Sequence, residues 1–343
     1  MTPPVNAQFY HHKKQFILEN GGILPELTIA YNTYGTLADD CSNVVWVCHA
    51  LTANSDCLDW WHGLIGQDKL FDPEKYFIVC ANIIGSSYGT TSPCSIKSSI
   101  SIPSHTSFPL ITIRDIVKAH ILLREHLGIS SIYCLLGGSL GGQQVLEWAI
   151  IEKDIIHTII PIATNARHSP WGIAWNAAQR MALESDPDFH SPKCGKCKNG
   201  LKAARAIAML SYRHYSTFDS TQKDNDARVD SFNADSYQRH QGDKLVQRFD
   251  AHCYYSLTKS MDSHNVGRNR ESCEHALQQI TAKTCVIGID SDLLFPVEEQ
   301  EFIAKHINSS SFYVISSRYG HDGFLLEYEQ LTRIISQFLG KNT

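Results

Sequence analysis

The run Gly137-Gly138-Ser139-Leu140-Gly141-Gly142 is where residue types and spacing point most directly to covalent chemistry. A serine hydroxyl is a weak nucleophile until a base takes its proton, and small neighbours leave room for a carbonyl to approach it. This G-x-S-x-G follows the apolar run YCLL and precedes QQVLEWAI, so Ser139 falls on a sharp turn from strand to helix. Such an elbow calls for an acid and then a base further along the chain, each in a loop after a later strand. Asp290 and Asp292 follow TCVIGI, and His321 follows SFYVISS. His321 would accept the Ser139 proton, while Asp292 would hold the imidazole in the right tautomer and stabilise its cation. Asp290 is the rival acid, nearer the strand end and equally suited to a loop or a helix cap. An acyl transfer also needs backbone donors for the oxyanion. The elbow supplies the Leu140 amide, and the loop His49-Ala50-Leu51-Thr52-Ala53 after VVWVC supplies that of Leu51.

The elements that must hold these loops are legible as short apolar runs separated by amphipathic ones. NVVWVCHA, YFIVCANI, SIYCLLGG, TIIPIATNA, TCVIGID and SFYVISS read as strands, while Thr112 to Leu127, QQVLEWAI and the C-terminal LEYEQLTRIISQFLG read as helices. That alternation predicts a mostly parallel central sheet with helices on both faces. Between about Trp171 and Arg270 the residues turn polar and helix-forming, in runs such as GLKAARAIAMLSYRHY and DKLVQRFDAHCYYSLTKSMD. The expected organisation is a core in two parts, 1–168 and 271–343, with a helical lid inserted at 169–270. Within the lid, TFDSTQKDNDARVDSFNAD is expected to form a loop or a frayed connector.

Composition removes several classes of function. Of 343 residues, 43% are hydrophobic and 19% charged, which excludes global disorder. Lys and Arg number 30 against 35 Asp and Glu, so there is no basic surplus for nucleic acid. No apolar leader opens the chain and no run is long enough to span a bilayer, so a soluble cytoplasmic protein without membrane contact is expected. Most of the 11 cysteines sit in apolar runs, among them Cys48, Cys80, Cys134 and Cys285, as in a reduced compartment. Cys194 and Cys197 have the spacing of half a zinc site or a redox loop, but no second pair follows at zinc-ribbon spacing. A polar surface loop with no metal is the expectation there.

Beyond these local signals, a series of motifs runs in order along the chain: CHALTANSD, WWHGLIG, YFIVCANIIGSSYGTTSP, FPLITIRD, GGSLGGQQVLEWA, RAIAMLSYR, YQRHQGDKLVQRFDA, MDSHNVGR, SDLLFP and GHDGFLLE. Together they resemble the homoserine O-acetyltransferases, covering the chain from about residue 25 to its end. The resemblance implies an α/β-hydrolase fold and a ping-pong route, from acetyl-CoA to the serine and then to the γ-hydroxyl of L-homoserine, in methionine biosynthesis. It implies no metal and no permanently bound cofactor, acetyl-CoA being a co-substrate. It maps nucleophile, acid and base onto Ser139, Asp292 and His321, places the homoserine carboxylate on Arg213 and its ammonium on Asp322, and implies a homodimer joined through the helical lid. Leu140 stands where the family usually has methionine, and GSSYGTTSP departs from the usual loop. Related activities keep the same triad with succinyl-CoA as donor or L-serine as acceptor, and the triad alone also suits an esterase that uses water.

Overall fold

The computed structural model describes residues 2–95, 108–191 and 193–341. It opens with β1 (Gln8–His12), the small pair β2 (Phe16–Ile17) and β3 (Ile23–Leu24), and β4 (Leu27–Tyr34), strands that no motif above marks. Strand and helix then alternate: β5 (Val44–Cys48), α1 (Cys57–Trp60), β6 (Phe77–Ala81), α2 (Ile113–His126), β7 (Cys134–Gly138), α3 (Leu140–Ile151) and β8 (Thr158–Ile162). Six helices follow before the sheet resumes: α4 (Pro170–Glu184), α5 (Lys198–Tyr212), α6 (Tyr215–Gln222), α7 (Asn233–Arg248), α8 (Ala251–Asp262) and α9 (Cys273–Gln278). The chain closes with β9 (Lys283–Ile289), α10 (Val297–His306), β10 (Ser310–Ile315), a 3-10 turn at Gly320–Asp322, α11 (Gly323–Leu326) and α12 (Tyr328–Phe338).

Eight strands form one sheet in the order β1-β4-β6-β5-β7-β8-β9-β10. β4 pairs antiparallel with both β1 and β6, and every other pairing is parallel, as the alternation predicts. Every residue of β5, β7 and β8 is buried, which is why those strands read as unbroken apolar runs: helices cover both faces. Two hydrophobic clusters result, one containing Trp46 and Trp148 and the other Trp61 and Phe324. Helix α2 starts where Thr112 accepts from the Asp115 amide and the Asp115 carboxylate returns the bond to the Thr112 amide.

In the lid, the run DKLVQRFDAHCYYSLTKSMD is two helices, because Phe249 is extended and Asp250 then caps α8 by accepting from the His252 amide. The expected long connector is shorter than its sequence suggests: α6 takes its first part, and only 223–232 lies between helices. A network of charges around the buried Glu147, its other members half-buried, pins the returning segment to the core. Glu147 binds Arg114 and Arg270, each at 2.6 Å, and Glu19 binds Arg268 at 2.7 Å as well as Arg114. Among the described residues no helix is long and apolar enough to cross a membrane.

The cysteines depart from expectation at one place. Cys194 is joined to Cys94 in a disulfide with Cα atoms 5.8 Å apart, across a sequence separation of 100. Its neighbour in the C-x-x-C, Cys197, is turned inward and its thiol donates to the Leu183 carbonyl at 3.6 Å. The pair at 194 and 197 is therefore neither an independent surface loop nor half of a two-knuckle site. The true neighbour of Cys194 comes from a segment that only the tertiary fold brings near.

Candidate active site

Strand register places the chemistry. Cys48 pairs with Gly137 and Gly138 with Ile162, so the loop after β5 and the elbow after β7 emerge side by side at one edge of the sheet. Glycine is required there by space. A Cβ on Gly141 would stand 2.1 Å from the Cys48 carbonyl oxygen, and one on Gly137 2.7 Å from it. Helix α3 can therefore pack directly on the end of β5. Ser139 itself has φ 58° and ψ −127°, a left-handed conformation that costs a non-glycine residue free energy and sets it at the point of the turn. Its backbone is held by a bond from its amide to the Ile162 carbonyl at 2.9 Å and one from the Thr164 hydroxyl to its own carbonyl at 2.8 Å.

Asp292 and His321, the expected acid and base, stand side by side. The His321 ring nitrogen Nδ1 donates to Asp292 Oδ2 at 2.6 Å, which makes Nε2 the proton acceptor of the ring. Asp292 is aligned in turn by the amides of Leu294 and Phe295, which donate to its Oδ1 at 2.8 and 3.0 Å. Both groups are buried, and Tyr212, Phe295 and Phe324 surround the imidazole with ring centroids 5.2 to 5.7 Å away. Asp290, the rival acid, is exposed and spends its carboxylate on the Ser317 amide at 3.0 Å.

Ser139, His321, Asp322 and Leu51 line one cavity of about 360 Å³. Leu140 is the first residue of α3, where a backbone N–H has no partner inside the helix. The loop carrying Leu51 is held from below by His49, whose Nδ1 donates to the Ala50 carbonyl at 2.8 Å and whose Nε2 accepts from the Ile83 amide at 3.1 Å. Burial pulls His49 down to about 4, so it performs this role as a neutral ring.

Arg213 stands differently from the rest. It follows α5, does not line the cavity, and reaches it through Asp322, with its Nε 3.0 Å from Asp322 Oδ2. The cations on the cavity wall are Arg205 and Arg248, from α5 and α7, which the sequence did not single out although both lie inside family-like motifs. Arg248 donates to the Thr52 carbonyl and to the Tyr88 hydroxyl, the latter at 2.8 Å, and so joins α7 to the loop after β5. Arg205 lies 5.3 Å from the centre of the Tyr212 ring. Nothing in an amphipathic helix pattern distinguishes such a residue from a solvated one.

A second, larger cavity of about 600 Å³ lies by Asn165, Arg167 and Glu299, with no triad residue on its wall. Glu299, in the first turn of α10, is pushed up to about 7, first by burial and further by the nearby Asp292 charge, with Asn165 and Ser169 partly offsetting this.

A serine on a strained strand-to-helix turn, with a paired aspartate and histidine on the loops after two later parallel strands, defines the class. A model of the alpha/beta hydrolase fold matches residues 43–328. The solved structure of esterase E22 superimposes with a TM-score of 0.89 at 22% identity, covering 97% of this chain and 99% of that one. This is an α/β-hydrolase fold. The finer placement comes from closer relatives. Homoserine O-acetyltransferase of Cyclobacterium marinum is 45% identical over 342 residues, spanning 100% of this chain and 97% of its own. The crystal structure of homoserine O-acetyltransferase from Staphylococcus aureus matches with a TM-score of 0.83 at 28% identity, over 98% of this chain and 96% of that one. The chain belongs to the homoserine O-acetyltransferase family and is an acyltransferase.

Proposed function

We propose that this enzyme transfers the acetyl group of acetyl-CoA to the γ-hydroxyl of L-homoserine, giving O-acetyl-L-homoserine and CoA for methionine biosynthesis. The observation that carries the reading is one cavity in which the Ser139 elbow, the His321 ring bonded to Asp292, and the Asp322 carboxylate meet. Nucleophile and base alone would serve any ester, whereas a carboxylate beside them offers a seat for an ammonium group. The relatives' names supply the acyl group and the acceptor.

In the proposed ping-pong route, His321 Nε2 takes the Ser139 proton as Oγ attacks the thioester carbonyl. The Leu51 and Leu140 amides stabilise the oxyanion. The C–S bond then breaks, and the His321 proton leaves with the CoA sulfur. Homoserine enters with its ammonium at Asp322 and its carboxylate at Arg213. His321 removes the γ-hydroxyl proton as that oxygen attacks the acetyl-serine, and collapse returns the proton to Ser139. No permanently bound cofactor has a part in these steps. Arg205 and Arg248 on the wall could take the anionic parts of CoA.

The lid is proposed to extend over 169–270 and to carry the contact between two copies of the chain, a reading supported by Met181 and Leu210, which are 68% and 50% exposed on α4 and α5. The deciding experiment follows CoA release from acetyl-CoA and from succinyl-CoA, each with L-homoserine, L-serine or no acceptor. Release from acetyl-CoA that requires homoserine is expected. Equal release without any acceptor would make water the second substrate and overturn the transferase reading.

A further inference from the structure

Cys94, Cys194, Asp250 and His252 meet away from the triad, where the segment following β6 touches the α4–α5 connection and the start of α8. The two Sγ atoms, one Asp250 carboxylate oxygen and one His252 ring nitrogen all lie within 4.8 Å of one another. His252 is buried, and its Nε2 donates to the Phe189 carbonyl at 2.9 Å. That bond sets the tautomer so that Nδ1 is the acceptor nitrogen, and Nδ1 faces Cys194 Sγ at 3.9 Å. A backbone carbonyl on the far ring nitrogen is the way metal-ligating histidines are usually oriented. Asp250 is buried as well and is fixed by the amides of His252 and Gly195 at 2.8 and 2.6 Å.

We propose that, when Cys94 and Cys194 are reduced, these four side chains form a closed tetrahedral site for zinc. Two thiolates, one imidazole and one carboxylate suit zinc and exclude the hard cations calcium and magnesium, which take oxygen ligands. With all four positions filled by protein, the site has a structural role and takes no part in acyl transfer. The disulfide is its alternative state. A dithiol reductant gives two electrons and two protons to the S–S bond, becoming a disulfide itself and leaving two thiols. Zinc then binds both sulfurs and displaces their two protons. A Zn–S length of about 2.3 Å with tetrahedral angles requires the sulfurs about 3.8 Å apart. Side-chain rotation can supply this, since Cys94 is exposed and Cys194 half-buried.

The disulfide ties the segment that carries Tyr88 to the α4–α5 connection, and the zinc site would tie it also to the start of α8, next to Arg248; Tyr88 and Arg248 both line the catalytic cavity. The chain that is reduced and metal-free keeps only hydrogen bonds between these segments, among them Arg248 to the Tyr88 hydroxyl and the Asp250 amide to the Ser87 hydroxyl. The site replaces the expectation of no metal, and it does so with residues that the C-x-x-C spacing does not join.

The test uses the full chain reduced with tris(2-carboxyethyl)phosphine, whose phosphorus is oxidised to the phosphine oxide as the disulfide opens. Zinc is then added and counted against a chromophoric chelator, and cobalt(II) is substituted to look for thiolate-to-metal charge transfer. One zinc per chain, blocked by prior oxidation, is expected, with affinity lower by about 100-fold or more in Cys94→Ser and in His252→Gln. Cys197→Ser should leave it unchanged. No stoichiometric zinc in the reduced wild type, or full retention in Cys94→Ser, overturns the proposal. Cys94→Ser alters an exposed side chain, and its fold is checked by circular dichroism and by reaction of Ser139 with a phosphonate.

Discussion

The sheet edge and the lid both face the cavity, but they hold their polar groups by different means. At the sheet edge the backbone does the positioning: Ser139 is fixed by a strand ladder and by glycines packed on the Cys48 carbonyl, and Asp292 by two amides. In the lid, side chains do most of it: Arg213 is placed by its ion pair with Asp322, and Arg248 by the Tyr88 and Thr52 hydroxyls together with the Thr52 carbonyl. Groups held by backbone can act on the reacting atoms with little reorganisation. Groups held by long side chains are suited to adjusting around a bound molecule. On the proposed function, the sheet would carry the chemistry, and the lid, through Arg213 beside Asp322, would contribute to the choice of acceptor.

The largest expected effect separates the two regions kinetically. Asp292→Asn should lower kcat by about 10⁴-fold in both half-reactions, because the imidazole loses its tautomer control. Arg213→Ala should spare acetylation of Ser139 and lower kcat/KM for homoserine by about 10- to 100-fold, as expected for one lost charged hydrogen bond. Stopped-flow acetyl-enzyme formation measured beside steady-state turnover distinguishes them. If Arg213→Ala slows both half-reactions equally, the division between sheet and lid fails.

Stability gives a second contrast. Gly141→Ala drives a methyl group into the Cys48 carbonyl and should cost about 3 kcal/mol in urea unfolding. Gly195→Ala, in the lid, has open space around the new methyl and only its φ of 78° to oppose it, so about 1 kcal/mol is expected. Equal losses would mean that the lid is packed as tightly as the elbow.

A pH-dependent contrast concerns Glu299, near Asp292. Below its ordinary value of 4.5 both folded and unfolded chains keep the proton, whereas between 4.5 and about 7 only the folded chain does. Stability is thus lost as pH rises through that window. Glu299→Gln should melt higher than wild type at pH 8 and lose that advantage at pH 4.5. A difference independent of pH would show that the carboxylate is not the group concerned.

The same contrast explains what could be read from the residues. β5, β7 and β9 are announced by continuous apolar runs because both their faces are covered, and the half-buried edge strand β10 by its aromatic and β-branched residues; Ser139, Asp292 and His321 lie on the segments that follow β7, β9 and β10. Thr112 and Asp115 likewise mark the start of α2. The strands β1 and β4, at the antiparallel end of the sheet, mix polar and apolar residues and carry no motif. Arg205 and Arg248 were hidden because helical periodicity identifies a face without saying which charged tip reaches a cavity. The link from Cys94 to Cys194 was hidden by the 100 residues between them, while the nearby Cys197 offered a false partner.

The bond between Arg213 and Asp322 has a consequence for selectivity on the proposed acceptor site. It makes the site its own competitor. A zwitterion opens one internal ion pair and replaces it with two, one at each pole. A plain alcohol or a lone carboxylate opens the same pair and leaves at least one pole unanswered, so its binding is taxed before any contact with the γ-hydroxyl position is counted. Discrimination against singly charged and neutral acceptors would then be set by the strength of a contact inside the empty protein, and a substitution that weakens that contact would broaden the range of accepted alcohols.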